Sequence, residues 1–175
     1  MLFPQKSRKF GPVAGLIFLL ATSAQLASAQ TDKTKTPEAR ADAILTLRIE
    51  MELARLKPFL DKDGGYKDKE GGYFNPKAGT YTDKEGGVVD NWSGYTYKNG
   101  NYKSKLGDFW EASTKTFKLT TGEILKSVET TTAEAIKVLR ETVEEQGGYD
   151  KNYVVKSMIF TIKKEHPNTP TAPRP

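Results

Sequence analysis

Few residues of this 175-residue chain are equipped for chemistry. It contains one histidine, His166, beside Pro167, and no cysteine. A lone histidine in a proline-rich tail supports neither a serine triad nor a multi-histidine metal site, and no thiolate nucleophile exists. The carboxylates Asp68, Asp83 and Asp90 sit in turn sequences, where an aspartate ordinarily caps backbone N–H groups. Glycosidase chemistry instead needs two carboxylates held about 5–10 Å apart in a cleft. A small carboxylate-dependent hydrolase is therefore only a minor alternative.

Asp61-Lys-Asp-Gly-Gly65 opens like a calcium loop. Counting from Asp61, however, Gly65 is fifth, Tyr66 sixth and Gly72 twelfth, where an EF-hand needs an oxygen ligand, a glycine and a bidentate glutamate. Ten glycines lie between Gly64 and Gly107, yet none forms a dinucleotide fingerprint or a phosphate loop. The sequence thus points to no catalytic residue, no cofactor and no metal. What remains is recognition by aromatic rings, with Tyr73, Tyr81, Trp92, Tyr95, Tyr102 and Trp110 as the candidate ligand or partner contacts. Trp92 leads, because a tryptophan in a turn has the least reason to be a core residue. Stacking on nucleic acid is disfavoured, since Asp61–Glu111 carries eight lysines against nine acids and so no basic groove.

These rings recur at seven to eight residues, at Tyr66, Tyr73, Tyr81, Val88, Tyr95, Tyr102 and Phe109. Turn sequences such as Asp68-Lys-Glu-Gly71, Asn75-Pro-Lys-Ala-Gly79 and Asp83-Lys-Glu-Gly86 separate them. The expected fold is α+β: a short-strand antiparallel β-meander of Tyr/Gly repeats over 61–118, packed with two or three helices. With equivalent turns, all seven phase residues should share one face, opposite Phe74, Val89 and Tyr97.

Gly72-Tyr-Phe-Asn-Pro-Lys-Ala-Gly-Thr-Tyr-Thr-Asp83 resembles the aromatic octamer (OCRE-type) repeat of some eukaryotic RNA-processing proteins. The resemblance rests on Tyr73, Phe74, Asn75, Pro76, Gly79, Tyr81 and Asp83. It covers about twelve residues and implies a small antiparallel sheet that binds peptides through exposed tyrosines.

The flanks position the ribbon. Lys6, Arg8 and Lys9, the apolar run Val13–Leu20 and Ala27-Ser28-Ala29 read as a secretory signal peptide over 1–29, too short in its apolar run to span a bilayer. Cleavage there leaves 24 basic residues (27 less three) against 22 acidic ones, so the formal +5 overstates the basic character. An exported chain without cysteine suits a bacterial periplasm, envelope or extracellular space. A linker over 30–36 leads to a helix over 37–60, with Thr36 capping and Pro37 at its first position. A second helix is expected from about Thr120 to Gln146, stopped by Gly147-Gly148, with Arg140 on its charged outer face. Gly147-Gly-Tyr-Asp150 then reads as a returning ribbon turn. Tyr153–Lys163 fits helix or strand, with helix favoured by Val155, Met158, Ile159 and Ile162. The region 119–164 is expected to be helical, and 165–175 a disordered Pro/Thr tail.

Two functional readings follow. One is an exported, non-enzymatic structural or assembly protein, associating with itself or with an envelope partner. The other is a glycan- or peptide-binding module using an exposed tyrosine row. Neither calls for nucleic acid or a transmembrane segment.

Overall fold

The computed structural model describes residues 36–168. The expected signal peptide, the linker up to residue 35 and residues 169–175 of the tail lie outside them. The chain divides into two compact units, Met1–Arg48 and Ile49–Pro175. The described part of the first is Thr36 and the opening turns of helix α1 (Pro37–Leu56), where the Thr36 hydroxyl accepts the Ala39 N–H at 3.2 Å. Among the described residues no helix is long and apolar enough to cross a membrane.

The second unit is a nine-stranded antiparallel sheet whose strands pair strictly in chain order. The strands are β1 (Tyr66–Lys67), β2 (Tyr73–Asn75), β3 (Thr80–Thr82), β4 (Val88–Asp90), β5 (Tyr95–Thr96), β6 (Tyr102–Lys103), β7 (Phe109–Glu111), β8 (Thr116–Lys118) and β9 (Ile124–Lys126). The meander expected from the repeat is there, two strands longer at its C-terminal side than Tyr66–Phe109 alone implied.

Most connections use one five-residue turn. Its first N–H donates to the fifth carbonyl and its fourth N–H donates back to the first carbonyl, as in 61–65, 68–72, 83–87 and 90–94. Where the first residue is aspartate, its Oδ1 also accepts the N–H of the fifth residue, at 2.8 Å for Asp61 and Gly65 and for Asp68 and Gly72. The fourth residue is usually glycine because φ there is positive, 97° at Gly71 and 90° at Gly86.

The phase residues do not share a face. Direct cross-strand partners point the same way, and the register runs Tyr66–Phe74–Tyr81–Val89–Tyr95–Lys103–Phe109–Lys118–Ile124. The other face carries Lys67–Tyr73–Thr82–Val88–Thr96–Tyr102–Trp110–Phe117–Leu125. Successive phase residues therefore alternate sides. In a hairpin the chain reverses, so facing is set by reflection about the turn rather than by a constant lag. Phe74, Val89 and Tyr97, expected opposite the row, instead join Tyr66, Tyr81, Tyr95 and Phe109.

Two helices cover the sheet, one on each face. Helix α3 (Tyr153–Glu165) confirms the helical reading of that stretch and buries Val154, Met158, Ile159 and Ile162 against Tyr66 and Phe74. The end of α1 joins this cluster through Leu53, fully buried Leu56, Phe59 and Leu60. Helix α2 (Thr132–Glu145) lies against the opposite face, where Ala135 and Leu139 meet Tyr102 and Trp110.

Helix α2 starts twelve residues later than the sequence suggested, at Thr132 instead of about Thr120. Residues 119–123 form another five-residue turn, and 124–126 pair with β8 as a ninth strand. Thr131 and Glu134 then make a reciprocal capping box, so the run Thr130–Thr132 marks the helix start. Gly147 and Gly148 are not a ribbon turn. Their N–H groups donate to Glu144 and Val143 carbonyls, the Schellman ending of α2.

Candidate functional site: an open aromatic half-face

Each aspartate turn is tied to a tyrosine two strands further on. The phenol of Tyr73 donates to Asp61 Oδ2 at 2.8 Å, Tyr81 to Asp68 at 2.8 Å, Tyr95 to Asp83 at 2.5 Å and Tyr102 to Asp90 at 3.2 Å. The ring lies across the fifth residue of the turn, Gly65, Gly72, Gly87 or Gly94, where a Cβ would overlap it. One carboxylate thus closes its turn with one oxygen and holds a ring with the other. Tyr73, Tyr81 and Tyr95 are half-buried in this way.

Tyr102 and Trp110 are fully buried, so neither offers a surface to a partner. Trp110 donates its indole N–H to Thr132 Oγ1 at 3.3 Å and packs on Phe117 with ring centroids 4.7 Å apart. Trp92 is half-buried between Tyr149, at 4.7 Å, and the Arg140 guanidinium, at 4.8 Å. It is a bracing ring in its turn rather than a free anchor.

Arg140 does not lie on the outer face of α2. Its Nε donates to Asp90 Oδ2 at 2.8 Å and its Nη2 pairs with the same oxygen at 2.7 Å. Asp90 is 4% exposed, and it also accepts the N–H groups of Trp92 and Gly94 and the Tyr102 phenol. Beside it, Asn91 accepts the N–H of Asp150 through its backbone carbonyl and that of Val154 through its side chain, both at 3.2 Å, which fixes the start of α3. This one turn therefore holds both covering helices. The spacing of twelve or thirteen from aspartate to tyrosine was present in the sequence and could have revealed the ties; nothing local marked Arg140 for Asp90.

His166 also departs from the expected free tail. Its ring stacks on Phe59 at 4.3 Å and its Nε2 lies 3.3 Å from the Tyr66 phenol, which donates to Glu165. Burial, then this bond to Glu165, pushes the Tyr66 phenol pKa well up.

Because α3 covers only the β1–β4 part of its face and α2 packs on the other side at β7, the first face is open from β5 onward among the described residues. There Tyr95 and Tyr97 meet edge-to-face at 4.6 Å, and Tyr97 meets Phe109 at 6.1 Å. Tyr97 is 39% exposed. Lys103 stands in register between Tyr95 and Phe109, and Lys118 lies 5.8 Å over the Phe109 ring. A recess of about 270 Å³ adjoins the rings, lined by Glu85, Gly87, Tyr95, Tyr97, Lys98 and Asn99. A second groove, of about 310 Å³, runs under α3 and includes Tyr81, Phe160 and Lys164. Of the six residues expected from sequence, only Tyr95 belongs to the open half-face. Tyr97, Lys103 and Phe109 complete it, and their shared side could be known only from the register.

The ties predict a pH response. The Tyr95 phenol is pushed up to about 12, first by its bond to Asp83 and then by burial. That of Tyr102 is also pushed up to about 12, first by burial and then by the Asp90 charge. Both exceed the unfolded value of about 10, so their contribution to stability is complete below about pH 10 and lost as pH rises through 12. Asp61 and Asp83 are held below the usual carboxylate range, first by Tyr73 and Tyr95 and then by the Gly65 and Gly87 N–H groups. Their contribution is present above the unfolded value of about 3.9 and disappears as pH falls below it. Ultraviolet titration should show phenols that ionise only near pH 12, together with loss of near-ultraviolet dichroism. A single phenol transition near pH 10 in the folded chain would rule the ties out.

No protein-family model, curated protein or solved structure matches the chain.

Proposed function

We propose that this protein is an exported, non-enzymatic binding module of the cell envelope or extracellular space, a braced ribbon that holds a glycan or peptide on its open aromatic half-face. The observation that carries the reading is the division of labour among the rings. Tyr102 and Trp110 are consumed by the core, whereas Tyr97 and its neighbours Tyr95 and Phe109 gather where no described helix of the second unit packs. Export rests on the leader-like sequence of residues 1–29, and the lack of cysteine suits a bacterial envelope better than a disulfide-stapled extracellular domain. A structural or assembly role is the second reading. It is favoured by Ile124 and Val128, 67% and 63% exposed on and beside the edge strand β9.

Oxidative footprinting of the full chain separates these readings. Tyr97 should label strongly in dilute protein, while Tyr102 and Trp110 stay protected. Loss of Tyr97 labelling on adding envelope glycan supports binding; loss on concentrating the protein alone supports assembly. Protection of Tyr97 in dilute protein would dismiss the binding reading. Export is checked by mass spectrometry of the protein from envelope and medium fractions, where an N-terminus at Gln30 is expected. Finding the protein only inside cells, with its N-terminus intact, would remove that part.

A further inference from the structure

The ligand chemistry can be read from the order of side chains across the open half-face. From β5 to β9 the directly paired residues are Tyr95, Lys103, Phe109, Lys118 and Ile124, a ring or apolar group alternating with an ammonium. Strands lie about 4.8 Å apart, so like groups repeat at about 10 Å. Lys103 is exposed and pairs with no carboxylate among the described residues. Lys118 is held at 3.0 Å from Glu111, which leaves its ammonium beside the Phe109 ring.

We propose that this half-face binds an anionic polysaccharide of the uronic-acid type, with pyranose rings on Tyr95, Tyr97 and Phe109 and ring carboxylates at Lys103 and Lys118. The inference rests on the binding reading above and names its ligand. Four features favour this occupant. The face of a paired sheet has its main-chain groups spent in the ladder, so an extended peptide, which relies on them, gains little there. A sugar needs only its C–H face against a ring and its charged or hydroxyl groups against a cation or amide. The repeat of about 10 Å is close to the length of a disaccharide in an extended chain. Finally, Lys98 and Asn99 stand at the recess beside Tyr97, placed for a further carboxylate or hydroxyl. Nucleic acid fits less well, because Asp61–Glu111 carries nine acids against eight lysines and so offers no continuous basic groove.

The test titrates the full chain with a fluorescent galacturonic-acid oligomer, a neutral cellulose oligomer of equal length, and polyglutamate. The expected result is saturable binding of the uronate oligomer at moderate salt, about tenfold weaker in Lys103→Glu and again in Tyr97→Ala. Lys103→Arg should retain it. Both positions are exposed, and unchanged circular dichroism verifies the fold. Equal or tighter binding of polyglutamate would overturn the proposal, because charge alone would then explain the affinity. Binding of the neutral oligomer as tightly as the uronate, with Tyr97 protected from labelling, would overturn the anionic specificity and leave the binding-module reading intact. No uronate binding by the folded chain would overturn the proposal outright.

Discussion

Arg140→Met is expected to destabilise the second unit by about 3 kcal/mol, visible as a lower urea midpoint with unchanged slope. The cause is the Asp90 carboxylate, which would remain buried without its counter-ion. Removing one partner of a buried pair ordinarily costs about 3–5 kcal/mol. The lower end applies here because Asp90 keeps two backbone N–H groups and the Tyr102 phenol. Lost packing adds to the effect, since the guanidinium also covers Trp92 and lies 5.8 Å from Tyr102. Two comparisons isolate the charge. Lys137→Met on the exposed side of α2, where the side chain is 75% exposed, should change stability by no more than about 0.5 kcal/mol. The double variant Asp90→Asn with Arg140→Met should lose less than the sum of the singles, because the stranded charge is gone. Simple additivity would show that the pair is not coupled.

Trp110→Ala should cost about 3–5 kcal/mol, as expected when a fully buried tryptophan leaves a cavity. Its indole also anchors Thr132 at the first turn of α2, so the loss should appear as lower helicity as well as a lower melting temperature. Tyr97→Ala, by contrast, should fall within about 1 kcal/mol of the parent. Near-equal costs at these two positions would contradict the division between core and open rings.

The ribbon was legible because its information is local. Turn residues, glycines and aromatics recur within seven or eight positions, and each strand needs only its neighbour. Helix α3 was legible from Met158, Ile159 and Ile162 at helical spacing. What the sequence concealed depends on pairing. The side occupied by Tyr73 or Tyr97 follows from hairpin register, and a constant lag suggested a single row where the chain makes two. The start of α2 was misplaced because Leu125 and Val128 continue its seam in sequence, while in space Leu125 pairs with Phe117. Arg140 looked like one more surface charge, since its partner lies fifty residues away. Trp92 looked free because neither Tyr149 nor Arg140 is near it in sequence.

The alternation of sides along the meander also limits how such a chain can change length. Passing from one unit to the next reverses strand direction and exchanges the faces, so the ribbon behaves like a two-fold screw. Duplicating or deleting one unit between β4 and β5 would turn everything beyond it by half a revolution. Tyr102 and Trp110 would then carry α2 to the side that α3 occupies, and the short segment 146–152 would have to bring α3 back to a face already claimed. An insertion of two units restores the original orientation. Lengthening by whole hairpins is therefore compatible with this architecture, whereas an odd step requires both helices to be re-seated.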